Sequence, residues 1–317
     1  MNIIYTVCNR TNLAHALALA DSVLQYQPDS VFYLGWVDSM PVNNLPANIR
    51  LFPVTEPAIP SWKAMQEQYF DFELLPACRP WSALEILAKH PDCEQLAFLA
   101  PTVLLKQPID GILGNSQDML LTPNISAPLE PSSVLDDKRI LNAGMFHSGS
   151  WILKPNETTL AMLRWWASRT ADRANFDLCS GMNTDQLWLN YVPVWVPQAS
   201  ILHHAGWHYG LNSVLNRKLV GQNGDYRVNG EPLISVDFAG LDFFDPIWSD
   251  HAALLHRNQT FKALFHEYKS VIKQKKAQFG IGGQPGFGKP VTISANRMLR
   301  NKMASGLKSL TTFIDQF

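Results

Sequence analysis

Apolar residues run without interruption from Ile3 to Val7, recur at Leu13, Leu17, Ala20 and Leu24, and run on again from Val31 to Val37. A continuous run that gives way to a period near 3.6 and then returns predicts strand, helix, strand. The same reading gives a short strand from Ile49 to Val54 and a helix carrying Trp81, Leu84 and Leu87-Ala88. A further strand, Leu96 to Leu99, ends in Ala100-Pro101-Thr102. This alternation predicts an α/β fold, a mostly parallel sheet with helices on both faces. Ligands of such sheets sit outside the carboxyl ends of the strands, here Val7-Cys8-Asn9 and Ala100-Pro101-Thr102.

After Asp110 the pattern turns irregular, and prolines at 123, 128 and 131 predict loops that wall one side of a site. Thr158 to Arg169 is expected as a helix with Leu160, Leu163 and Trp166-Ala167 on one face. Thr184 is the expected N-cap of a short helix holding Leu187-Trp188-Leu189. Asn229-Gly230 reads as a hairpin turn, and a last body helix runs from Gln259 to Lys276. Residues 280–290 hold five glycines and two prolines, which predicts a linker outside the core. Beyond it Leu299, Met303, Leu307, Leu310 and Ile314 recur at helical spacing among basic residues. Three parts result: a body over 1–279, a linker over 280–290 and an amphipathic helix over 291–317.

Composition narrows the class without naming a chemistry. A chain of 317 residues with 46% hydrophobic and 17% charged content buries a sizeable core, which excludes general disorder. The first apolar run lacks the basic flank and length of a secretory signal, and no stretch is long and apolar enough to cross a bilayer. Cys8, Cys78, Cys93 and Cys179 form no Cys-x-x-Cys pair, so reduced thiols in a cytoplasmic protein are expected. The formal charge of -1 is unevenly spread: residues 273–317 hold eight Lys or Arg against one Asp, a net of +7, which leaves -8 on residues 1–272. The basic tail is expected either on an anionic membrane surface or docked on the acidic body, and no nucleic-acid partner is expected.

Several segments in order resemble glycosyltransferases of the GT-A type, in particular the bacterial group related to glycogenin and the lipopolysaccharide galactosyltransferases (family 8). They are the opening strand and helix, Cys78-Arg79-Pro80 before a helix, the strand end at 98–103, Asn142-Ala143-Gly144-Met145-Phe146, Trp165-Trp166, Asp185-Gln186 before Trp188, and Asp237-Phe238-Ala239-Gly240. The resemblance covers most of residues 1–270. It implies transfer of a sugar from a nucleotide diphosphate sugar, a UDP-sugar first, to a hydroxyl of a glycan, a lipid-linked sugar or a protein.

In that family the strand end carries Asp-x-Asp, whose carboxylates hold a divalent cation against the diphosphate; here Ala100 and Thr102 stand in those places. The resemblance therefore implies donor binding without an Asp-x-Asp metal. The expected substitutes are Arg79, which suits phosphate oxygens, and backbone amides near Thr6 and Asn9. Asp237 falls where relatives carry a histidine as third metal ligand, and magnesium or manganese through Asp237 is the alternative to no metal at all.

Asp185 and Gln186 are the expected catalytic pair, Asp185 accepting hydrogen bonds from sugar hydroxyls or acting as base; the plain reading of Asp185 is a helix N-terminal charge. Asn142 and Gly144 match a donor-contacting segment, although a turn held by an Asn side chain looks the same. Gly240, His256 and Asn258 complete the implied donor contacts. His203, His204 and His208 lack the Glu of a metalloprotease motif and are expected on a loop lining the acceptor pocket or on plain surface rather than at a metal. Gly283 to Pro290 approaches a phosphate-loop spacing but has proline where the terminal Ser or Thr belongs, so the match is accidental. The rival class is a catalytically silent binding or scaffolding subunit.

Overall fold

The computed structural model describes residues 1–54, 59–113, 116–129, 137–222, 224–241, 254–280 and 282–290, and beyond these Met303, Gly306, Leu307, Leu310 and Ile314. The strands are β1 (Asn2–Cys8), β2 (Val31–Trp36), β3 (Ile49–Pro53), β4 (Gln95–Leu99), β5 (Val103–Leu105), β6 (Met119–Pro123), β7 (Phe146–Leu153), β8 (Phe176–Asp177), β9 (Met182–Asn183), β10 (Ala199–Ile201), β11 (Leu219–Gln222), β12 (Asp225–Val228), β13 (Glu231–Pro232) and β14 (Ser235–Asp237). The helices are α1 (Leu13–Tyr26), α2 (Trp62–Gln68), α3 (Asp71–Lys89), α4 (Asp110–Leu113), α5 (Asp137–Ala143), α6 (Glu157–Thr170), α7 (Val192–Trp195) and α8 (Gln259–Phe279).

Seven strands form one sheet in the order β10-β6-β7-β4-β1-β2-β3. β1 is parallel to β2 and β4, and β7 alone runs against its two neighbours. The expected α/β architecture with a mostly parallel sheet is thus present. β7 is buried along its whole length, and its Trp151 stacks on Phe98 at 5.8 Å and meets Trp166 of α6 edge-on at 5.4 Å. These aromatic rings fix the height of α6 over the sheet.

Three sequence expectations are corrected. The irregular stretch after Asp110 contains β6 and β7, two inner strands, rather than loops alone. Polar His147, Ser148 and Ser150 interrupt the apolar run of β7, which hides the strand signal. Cys78-Arg79-Pro80 lies inside a helix and not before one, because α3 begins at Asp71 and carries Pro76 and Pro80 within it. Proline removes one helical hydrogen bond and reads as a boundary, yet here Glu73 Oε2 accepts from Phe70 N–H at 2.9 Å and starts the helix earlier. Thr184 is no helix cap: its φ of 46° is left-handed, and the short 3-10 turn Gln186–Tyr191 comes after Asp185 without a capping side chain.

Asn229-Gly230 joins β12 to β13 as a two-residue turn, both residues at positive φ. The glycine-rich segment is strapped to the body. Lys289 N–H donates to Tyr69 O at 2.8 Å, Asp71 N–H to Lys289 O at 2.9 Å, and Phe287 packs edge-on against Trp62 at 5.1 Å. Gly286 N–H donates to Asp38 Oδ1 at 3.2 Å, so residues 286–289 do not act as a loose tether. The expected C-terminal helix lies largely outside the described residues; Met303, Leu307, Leu310 and Ile314 are helical and exposed. Among the described residues no helix is long and apolar enough to cross a membrane.

Candidate functional site

Two pairings bring polar side chains to the carboxyl end of β4. β7 runs antiparallel to β4 with Leu99 opposite Ser150, and Ala100 N–H donates to Gly149 O at 2.7 Å. The residues of β7 before Gly149, namely His147 and Ser148, therefore project past the end of β4. On the other side β14 pairs with β5, setting Asp237 opposite Val103 and so beside Thr102. His208 is held at the same level, since its N–H donates to Ser235 Oγ at 2.8 Å and Tyr209 N–H to Ser235 O. Its φ of 51° is left-handed, an uncommon conformation for a residue with a side chain.

The first set at this end is Arg79, Ser148 and Asp185. Asp185 is wholly buried; its Oδ1 accepts from Ser148 Oγ at 2.8 Å and from Arg79 Nη1 at 3.1 Å, and Oδ2 lies 3.2 Å from the same nitrogen. The guanidinium also sits 4.9 Å over the Phe98 ring. Burial raises the Asp185 carboxyl above the usual carboxylate range, with Arg79 and Ser148 opposing the rise. Trp166 Nε1 donates to Asp185 O at 2.9 Å and fixes the backbone. Gln186 bridges: its Nε2 donates to Ala143 O at 2.8 Å, and its Oε1 accepts from Ser148 N–H at 3.2 Å. The positive φ of Gly144, 110°, carries the chain past Gln186, whose side chain a β-carbon there would touch at 3.4 Å.

The second set is Thr102, His147, His208 and Asp237. Asp237 Oδ1 accepts from Thr102 Oγ1 at 2.6 Å and from Ala239 N–H at 3.0 Å. Its Oδ2 faces two imidazoles, His208 Nε2 at 3.4 Å and His147 Nε2 at 3.9 Å, and the two rings are 4.3 Å apart. Burial alone would raise the Asp237 carboxyl, but His208, His147 and Thr102 hold it well below the usual range. Burial, reinforced by the charge of His208, pushes His147 down to about 3. His208 Nδ1 has no hydrogen-bond partner, although the residue is only 2% exposed, and Nε2 has only the 3.4 Å approach to Asp237, too poorly aligned for a good hydrogen bond. The three residues together present donor atoms within 4.8 Å of one another, a spacing compatible with a metal ion.

The expected residues thus separate. Arg79, Asp185 and Gln186 meet Thr102 and Asp237 at one sheet end, with Ala100 buried against Gly149. Thr6 and Asn9 stand at the end of the neighbouring strand β1. Thr6 Oγ1 is buried without a hydrogen-bond partner, and Asn9 Oδ1 accepts from the Thr11 N–H and hydroxyl. A cavity of about 310 Å³ opens at the ends of β1 and β2, lined by Arg10, Trp36, Met40, Val42 and Phe279 among others. Asn142 is exposed at the end of α5, His256 is exposed, and Asn258 caps α8 by accepting from Phe261 N–H at 2.9 Å. Gly240 adopts a positive φ of 77° in the turn after Asp237.

Sequence reasoning passed over His147 and Ser148, and it assigned His208 to a loop or the surface. His208 does lie on a loop, but the surface alternative is corrected, because the side chain is buried against Asp237. The pairing of β14 with β5 sets Asp237 beside Thr102, the bridge between Tyr209 and Val236 adds His208, and β7 on β4 adds His147; spacing along the chain carries no trace of these contacts.

No family model and no curated protein matches the chain. Among solved structures it is similar to the galactosyltransferase LgtC in complex with donor and acceptor sugar analogs: 12% identity, 75% of this chain and 87% of that one, TM-score 0.46. An active-site mutant of LgtC gives 12% identity over 80% of this chain and 95% of that one, TM-score 0.45. A glycosyltransferase involved in glycosylation of the major capsid of PBCV-1 gives 12% identity over 81% and 100%, TM-score 0.45. A likeness at these values carries no weight for function, and the functional reading rests on the site.

Proposed function

We propose that the protein is a glycosyltransferase that takes a sugar from a nucleotide diphosphate sugar, a UDP-sugar first, and passes it to a hydroxyl acceptor with no cation on the Asp-x-Asp positions. The observation that carries this reading is the polar cluster beyond β4. Thr102, Ser148, Asp185, His208 and Asp237 converge at the carboxyl end of a mostly parallel sheet, where such folds bind ligands. The cavity beside Arg10 and Trp36 is the candidate for the nucleoside.

The expectation that Arg79 and backbone amides near Thr6 and Asn9 neutralise the diphosphate loses weight on the side of Arg79, whose charge is already balanced by Asp185. The same pairing supports one second reading, a silent nucleotide-sugar-binding subunit, since a buried carboxylate engaged on both oxygens is not presented as a base. The test is turnover of a panel of nucleotide-sugars by the full chain, with and without chelator, read by chromatography of the released nucleotide. Turnover that falls in Asp185→Asn while nucleotide affinity holds supports transfer. Nucleotide binding without turnover of any donor supports the subunit.

The tail is a separate part of the proposal: residues 291–317 bind an anionic membrane surface. Removing residues 291–317 is expected to abolish sedimentation with anionic vesicles and to leave melting unchanged; retained sedimentation would reject it.

A further inference from the structure

We propose that His147, His208 and Asp237 form a site for a divalent transition-metal ion, which supplies the positive charge that the Asp-x-Asp positions no longer hold. The spacing of the donor atoms fits an ion. A cation about 2.1 Å from each ligand in a tetrahedral site needs donors about 3.4 Å apart. The Asp237 Oδ2 to His208 Nε2 separation is 3.4 Å, and Asp237 Oδ2 to His147 Nε2 is 3.9 Å. Two imidazoles and one carboxylate suit zinc, cobalt or iron better than magnesium, and three protein ligands leave a coordination position for a phosphate oxygen.

Polar satisfaction gives independent support. At 2% exposure and on a left-handed backbone, His208 has no partner at Nδ1 and only the long 3.4 Å approach to Asp237 Oδ2 at Nε2. A metal bond at Nε2 replaces that long contact. The outer contacts are in place as well. Thr102 Oγ1 and Ala239 N–H occupy Oδ1 of Asp237, which turns Oδ2 toward the imidazoles. Orienting bonds of this kind accompany metal ligands and tune them. Thr102 thus occupies a former ligand position and acts as a positioning residue for Asp237.

The ligands are unequal. His147 Nδ1 accepts from Gly149 N–H at 2.9 Å, which leaves the proton of the neutral ring on Nε2. To bind a cation through Nε2 this ring must give up that hydrogen bond, so His208 and Asp237 carry the site and His147 completes it. The sequence offered Asp237 as a metal ligand but did not join it to His147 and His208, because the three come from separate segments. Its role toward a diphosphate rests on the function proposed above; the metal site itself does not.

The test uses the full-length protein stripped by chelator and titrated with cobalt(II) and with zinc, monitored by visible d–d absorption and by calorimetry. One equivalent of low-coordinate cobalt is expected, displaced by zinc. His208→Asn and Asp237→Asn should each lower zinc affinity at least about 10-fold and His147→Gln by less, with circular dichroism in chelator matching the wild type. Asp237→Asn, which keeps the side-chain shape, decides the matter if His208→Asn fails to fold. No cobalt spectrum in the wild type, or equal affinity in the wild type and Asp237→Asn, overturns the proposal. Zinc binding that leaves uridine diphosphate affinity unchanged upholds the metal site and counts against the donor reading.

Discussion

Two polar clusters share the end of β4 and differ in how their charges are met. In the Arg79–Ser148–Asp185 set the ions are paired, the carboxylate accepts from two side chains, and the guanidinium lies over an aromatic ring. In the Thr102–His147–His208–Asp237 set one carboxylate oxygen is fully engaged, while the other faces two imidazoles at 3.4 Å and 3.9 Å, and His208 Nδ1 has no hydrogen-bond partner. Complete satisfaction is what a structural element needs. Long, loosely met contacts in a buried place are what a ligand can tighten. This difference marks the first cluster as a brace between α3, β7 and the Asp185 segment, and makes the second the candidate for the proposed ion.

The largest expected effect breaks the brace. Arg79→Ala leaves Asp185 buried without its partner, and urea unfolding should show a loss of about 3–5 kcal/mol. Arg79→Ala combined with Asp185→Asn should recover a good part of it. If the single variant is as stable as the wild type, the brace reading is wrong. Next comes Thr102→Val, which removes a hydrogen bond to an ionised carboxylate and should cost about 1.5–3 kcal/mol. Zinc affinity should fall about 10-fold with it. An unchanged zinc affinity would separate Thr102 from the second cluster.

A smaller effect is ligand stabilisation: zinc at tenfold its dissociation constant should add about 1.4 kcal/mol to the wild type and nothing to Asp237→Asn, read by the shift of the thermal midpoint. The smallest is local and serves as a control outside both clusters. Burial raises the Asp38 carboxyl, yet the Arg10 hydrogen bond and the backbone donors Met40, Arg10 and Gly286 outweigh it and hold the group below its usual range. A depressed carboxyl contributes its stability above the unfolded value and loses it as pH falls through the folded one. Protease cleavage within residues 282–290 should therefore rise only on acidification below the ordinary carboxylate range, and Asp38→Asn should show it at neutral pH.

The opening strand–helix–strand unit was legible because residues 1–54 obey local rules: a buried run, a helical period, then another buried run. α6 and α8 were legible for the same reason, and Asn229-Gly230 because its turn chemistry is local. β7 was not, since the site residues His147 and Ser148 break its apolar pattern. Buried polar side chains took the place of the folding signal there, as is expected at a candidate site. Within the candidate site, Asp185, Gln186, Arg79 and Asp237 were proposed through resemblance of short segments, and the structure sets them at one sheet end. His208 was set aside because nothing along the chain links it to a carboxylate 29 positions away, and only the bridge between Tyr209 and Val236 does so.

The decisive measurement is calorimetric titration of uridine diphosphate into the full chain, in chelator and again with zinc, for the wild type and Asp237→Asn. A metal held by the second cluster predicts that zinc tightens binding to the wild type at least about 10-fold, the order expected when a charge-assisted contact is gained. Asp237→Asn should bind with the weak affinity of the chelated wild type in both conditions. Equal affinity of the wild type with chelator and with zinc would contradict it.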